Sequence, residues 1–237
     1  MKKRKSGKKR GNPLKKGESS PKKRELLMLR KESGLLYLFA SNPWKAYTES
    51  ELKNSYGTNS KSYVEQFLEK YVREGILKVE PIGSFSSYSL NLSSIKARIY
   101  AGTVLELTGW SKSNVPYKDI QAAIDKIPYS SHITLITGSY AKGNQNEKSD
   151  IDVVVIIEDS CEPKKVHAEL KLHSELNIPP IHLYVFRNSE FIGMLKNREL
   201  NYGKEIAKNC LILSQGQTYL KLIDEAIKNG FNGKSLY

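Results

Sequence analysis

From Gly138 to Asp152 the chain reads GSYAKGNQNEKSDID and then runs straight into Val153, Val154, Val155, Ile156 and Ile157. Strand residues alternate faces, so Asp150 and Asp152 are expected to point the same way while Ile151 points the other. Two carboxylates on one face at the head of a strand suit hard divalent cations held by oxygen, Mg²⁺ above all. Gly138 and Ser139 follow a second strand-like run, Ile133 to Thr137, and offer backbone N–H groups and a hydroxyl to a phosphate. The combination points to metal-assisted chemistry on a nucleoside triphosphate.

The joint motif, Gly-Ser, ten residues, then Asp-x-Asp, resembles the signature of the DNA polymerase beta-like nucleotidyltransferase superfamily, in particular its minimal, MNT-type members. The resemblance implies that Gly138 and Ser139 hold the triphosphate of an NTP. It also implies that Asp150 and Asp152 are catalytic and bind Mg²⁺ or Mn²⁺, with Lys142 standing where the family often has arginine. The motif itself spans residues 138–157 and the looser likeness about 117–237. A lone Asp-x-Asp would carry little weight, because strand ends commonly bear exposed acids; the whole pattern is far more specific.

The chain departs from that family at the third carboxylate, which usually sits on a neighbouring strand. The next strand-like run, Ile181 to Phe186, alternates His182, Tyr184 and Phe186 on one face with Ile181, Leu183 and Val185 on the other. His182 thus takes the third position. Imidazole is a poor Mg²⁺ ligand but serves as a base near neutral pH. The blander reading is a half-buried histidine satisfied by one hydrogen bond. Glu158 and Glu190 are the alternative third acids. Two function readings follow: a metal-dependent transferase moving a nucleoside monophosphate from an NTP to an acceptor, or a DNA-binding regulator whose transferase-like domain only binds nucleotide or is inactive.

The elements that must position these groups occupy half of a 237-residue chain, enough for one large domain or two small ones. Charge is unevenly spread. Residues 1–24 hold twelve Lys or Arg against the single acid Glu18, and so carry eleven of the thirteen net positive charges. Like-charge repulsion and the Gly, Pro and Ser breaks predict a disordered tail. It reads as an electrostatic arm for nucleic acid, or else as a solubilising segment. It has no apolar stretch, so it is neither signal nor anchor, and no run elsewhere approaches the roughly 20 apolar residues of a membrane span. Cys161 and Cys210 form no Cys-x-x-Cys pair, which makes a reducing cytoplasm the expected compartment. His167 and His173 lie about 120° apart on a helix, so they are expected at the surface and not at a zinc site.

After the tail, Glu25 to Phe39 reads as a helix with Leu35, Leu36, Leu38 and Phe39 on its apolar face. Thr48 and Glu51 form a capping box that opens a short helix. A third helix starts at Ser60 after the turn Gly57-Thr58-Asn59, with an apolar stripe at Tyr63, Val64, Phe67, Leu68, Tyr71 and Val72. Two strands, Ile76 to Val79 and Tyr88 to Leu90, flank a turn region from Pro81 to Ser87. Over residues 26–92 this order resembles a winged helix-turn-helix domain. That resemblance implies a nucleic-acid interface at Ser60, Lys61, Ser62, Gln66 and Lys70, with Ser84 to Ser87 in the wing. Glu65, Glu69 and Glu74 weigh against it, and docking of a protein or of a second copy as a homodimer is the other use of such modules.

The expected architecture is therefore an α/β (α+β) chain: a basic tail (1–24), a winged helix-turn-helix domain (25–92), a connecting helix and linker (93–116) and a small mixed-sheet nucleotidyltransferase fold (117–237). Within the last, the order is helix 117–126, strand to Gly138, motif loop, strand from Ile151, helix 162–176, strand from Ile181, then helices near 199–209 and 217–229.

Overall fold

The computed structural model describes residues 32–56, 61–176 and 179–236. The basic tail, the Gly57-Thr58-Asn59 turn and Ser60 lie outside the described residues, as does the side chain of Lys61. The chain is mixed α/β with two sheets, consistent with a small nucleotidyltransferase fold.

The N-terminal part comprises α1 (32–41), β1 (Tyr47–Thr48), α2 (Glu49–Tyr56), α3 (Lys61–Arg73), β2 (Leu77–Ile82) and β3 (Phe85–Leu90). Thr48 and Glu51 form the expected capping box: the Thr48 amide donates to Glu51 Oε2 at 2.7 Å, and the Glu51 amide donates to Thr48 Oγ1 at 3.3 Å. The apolar stripes meet as read, with Leu35, Leu36 and Phe39 of α1 packed in one core with Val64, Phe67, Leu68 and Tyr71 of α3. The hairpin is longer than its sequence suggested, because Pro81 lies inside β2 opposite Ser86. The sheet order β1-β3-β2 makes β2 an edge strand, where a residue without an N–H is tolerated.

Helix α4 (Ile95–Gly109) joins this part to the second sheet. Its Gly102 lies directly against the start of α10 (Gly216–Lys228); a Cβ on Gly102 would sit 2.4 Å from the Gln217 nitrogen. Glu106 of α4 accepts a hydrogen bond from the Gly216 amide at 2.6 Å, and Trp110 Nε1 donates to the Leu213 carbonyl at 2.7 Å. Because backbone meets backbone at this crossing, Gly102→Ala is expected to cost about 1–3 kcal/mol through overpacking. A drop in the urea midpoint at unchanged slope would register it.

The second sheet contains β4 (His132–Thr137), β5 (Ile151–Ile157), β6 (Ile181–Arg187) and β7 (Leu211–Ser214), in the order β6-β5-β4-β7. β6 runs parallel to β5 and the other pairs are antiparallel, so the sheet is mixed. One face carries Val153, Val155 and Ile157, packed with α5 (Tyr117–Ile124) and α7 (Pro163–Leu176). The other carries Val154 and Ile156, covered by α8 (Asn188–Lys196), α9 (Tyr202–Lys208) and α10. That second core is continuous with the N-terminal part, from Leu35 to Leu236.

Several elements escaped the sequence reading, among them β1, α8, β7 and the short α6 (Gly138–Lys142). A four-residue run such as Leu211–Ser214 has too few positions to show a period. It is a strand because β4 offers it a free edge, with Leu211 beside Ile136. Among the described residues no helix is long and apolar enough to cross a membrane.

Candidate active site

The site grows from three strand ends. In register across the sheet, Thr137 closes β4, Asp152 sits beside it as the second residue of β5, and His182 lies beside Asp152 as the second residue of β6. The apolar run Val153–Ile157 explains why the carboxylate stays there. Both faces of this run are buried, so the strand is anchored with Asp152 at its open end, where the apolar run stops.

Gly138 turns the chain from β4 into α6 with φ +69°. A Cβ at that position would lie 2.0 Å from Asp152 Oδ2, so only glycine lets the turn and the carboxylate approach so closely. Ser139 follows in the first turn of α6, where helix N–H groups lack intrahelical acceptors. The rest of the motif loop is held by local bonds. Asn114 Nδ2 donates to the Tyr140 carbonyl at 3.2 Å and to Gln145 Oε1 at 2.9 Å, and the Asn146 amide donates to Ser149 Oγ at 2.9 Å.

Asp152 is 26 % exposed and lies 3.8 Å from His182, measured Oδ1 to Nδ1. Burial raises its carboxyl above the usual range; His182 opposes the rise, Asp150 adds to it, and Lys142 opposes it. Asp150, Lys142 and His182 therefore all bear on one carboxylate. Asp150 precedes the strand and is half-buried, while Lys142 ends α6 and is exposed.

Neither alternative third acid reaches this place. Glu158 follows the far end of β5, about 20 Å along the strand from Asp152. Glu190 caps α8 instead, accepting from the Arg187 amide at 2.7 Å. A concave space of about 280 Å³ lined by His132, Glu158, Asp159, Gln215 and Lys221 lies at that opposite sheet end. It holds none of the motif residues; at the motif end the His182 side chain is 64 % exposed.

Sequence reasoning missed the aromatic contacts beside His182. Tyr202 of α9 packs on Tyr184 with ring centroids 4.6 Å apart, and Tyr184 meets His182 edge-on at 6.2 Å. Burial, then the Asp152 charge, push the Tyr202 phenol well above its usual range. No local signal in Asn201–Lys204 reveals this, because α9 reaches Asp152 only through the fold. Lys204, two residues on, is 1 % exposed, and its Nζ has no hydrogen-bond partner among the described residues. A buried amine without a hydrogen bond is costly, so Lys204→Met is expected to stabilise the protein by about 1–3 kcal/mol, visible as a higher Tm.

Divalent cations are the general accompaniment of nucleotidyltransferase domains, and the donors here fit one in part. Asp152 supplies oxygen, His182 nitrogen, and Asp150 a second carboxylate nearby. No group of three or more His, Cys, Asp or Glu side chains among the described residues forms a closed metal nest. Sites that bind a cation through one or two carboxylates complete the shell with substrate phosphates and water.

Residues 134–212 match the family model described as nucleotidyltransferase domain. That stretch contains the whole row of strand ends, the glycine turn and both aspartates, and the match supports a nucleotidyl-transfer function for this part of the chain. No curated protein and no solved structure matches the chain.

The residues read as a nucleic-acid interface fare differently from one another. Ser62 and Gln66 are exposed on α3, but Lys70 is turned to Glu32, with Nζ 3.0 Å from its carboxylate. The exposed line of α3 thus reads Ser62, Gln66, Glu69 and Arg73, close to neutral. His167 is exposed, as expected, and both cysteines are free.

Proposed function

We propose that residues 117–237 form a metal-dependent nucleotidyltransferase that moves a nucleoside monophosphate from an NTP to an acceptor hydroxyl. The acceptor hydroxyl gives its proton to solvent as its oxygen attacks the α-phosphorus, the bond to the β-phosphate's bridging oxygen breaks, and pyrophosphate leaves. Asp150 and Asp152 hold the cation, Gly138 and Ser139 hold the triphosphate through N–H groups and the hydroxyl, and Lys142 adds positive charge beside the phosphates. A bound Mg²⁺ or Mn²⁺ supplies charge neutralisation on the phosphates and a more acidic acceptor hydroxyl.

The observation that supports this reading is the contact of the Gly138 turn with the Asp152 carboxylate, so the bend proposed for phosphate lies beside the carboxylate proposed for the cation. Residues 25–92 we read as a winged helix-turn-helix module that, with the basic tail, brings the chain to nucleic acid. The reduced charge of α3 leaves most phosphate contacts to the tail.

His182 in place of an acid favours the second reading, a DNA-binding regulator with a silent site. Incubation with α-labelled NTPs, Mg²⁺ or Mn²⁺ and cell extract separates the two. Label transfer that vanishes in Asp152→Asn supports the enzyme. Tight NTP binding without transfer supports the regulator, and absence of NTP binding removes both.

A further inference from the structure

Asp152 and His182 lie in register on adjacent parallel strands with their side chains leaving the same face. Their donor atoms are 3.8 Å apart, too far for a hydrogen bond. Two metal–ligand bonds of about 2.1 Å reach across about 3.0–3.4 Å at octahedral or tetrahedral angles, so the donors need close by only roughly half an ångström to share a cation. The edge contact with Tyr184 at 6.2 Å limits how the imidazole can tilt, and its 64 % exposure leaves room above it for a substrate and water. Neither Glu158 nor Glu190 can supply an oxygen here, because both lie at the far end of the sheet.

We propose that His182 is a direct ligand of the catalytic cation, so that this site selects a nitrogen-accepting ion such as Mn²⁺, Co²⁺ or Zn²⁺ over Mg²⁺. The inference rests on the cation role given to Asp152 above and adds the identity of its partner. A shell of carboxylate oxygens suits Mg²⁺, whereas one imidazole among oxygens shifts preference to the transition series. The histidine in the third position is then a change of ion and not the loss of a site. With Asp150 as the other carboxylate, the remaining coordination comes from nucleotide phosphate and water.

The full-length protein titrated with Mn²⁺, alone and with a non-hydrolysable NTP analogue, tests this by electron paramagnetic resonance. Echo modulation from a directly bound ¹⁴N is expected in the wild type and is lost in both His182→Gln and His182→Asp. Competition should show Mn²⁺ preferred over Mg²⁺ about tenfold more strongly in the wild type than in His182→Asp. Since His182 is exposed on an edge strand, both variants are expected to fold, and circular dichroism checks this. Mn²⁺ that binds and depends on Asp152, yet shows no nitrogen modulation or keeps its preference in His182→Gln, overturns the ligand role while leaving the transferase reading intact. Mn²⁺ binding that is undetectable, or indifferent to Asp152→Asn, removes the cation reading itself.

Discussion

Asp152→Asn is expected to lower nucleotidyl transfer by at least about a thousandfold, because the metal-ligand role proposed for Asp152 would be worth several kcal/mol in the transition state. The side chain keeps its size and one oxygen, so far-UV circular dichroism should not change. Stability distinguishes this loss from unfolding. Burial raises the Asp152 carboxyl, so in metal-free protein the native state binds an extra proton between the ordinary carboxylate value and the raised one. Wild-type stability therefore falls as pH rises through that window and levels off above it. The Asn variant lacks that slope and should be no less stable than wild type near neutrality. A variant that retains transfer would dismiss the site, whatever its stability.

Gly138→Ala should damage both fold and activity. The new methyl would overlap Asp152 Oδ2 at 2.0 Å, and φ +69° is costly for any residue with a Cβ. Together these are worth about 2–4 kcal/mol, and relief requires Asp152 to rotate away from the turn. Gly143→Ala is the matched control. It has a similar φ of +72° but nothing within 4 Å of the added Cβ, so it pays the backbone cost alone, about 1 kcal/mol, and keeps activity. Equal losses of activity in the two variants would show that the contact with Asp152 is immaterial.

The pair of variants also indicates which parts of the site could be read from the chain. The Gly-Ser bend and the two aspartates were legible because strand alternation and the run Val153–Ile157 fix their spacing and side locally. The capping box at Thr48 and Glu51 and the stripe of α3 were legible for the same reason, since helix and strand periods act over a few residues. The Lys70 ion pair was not legible, because its place on the helix wheel does not reveal Glu32, 38 positions away in the chain. The Pro81 strand misled because edge and centre are properties of a sheet and not of a sequence.

Sequence by itself therefore determined the chemical groups on offer: a Gly-Ser bend, paired acids, an imidazole on the neighbouring strand and a basic N-terminal segment. Only the tertiary structure decided who meets whom. It set His182 against Asp152, moved Glu158 and Glu190 to the opposite sheet end, and packed Tyr202 on Tyr184. The physical reason is that local periods specify which face a side chain takes. Strand order and register, which depend on burial across distant segments, specify its neighbours.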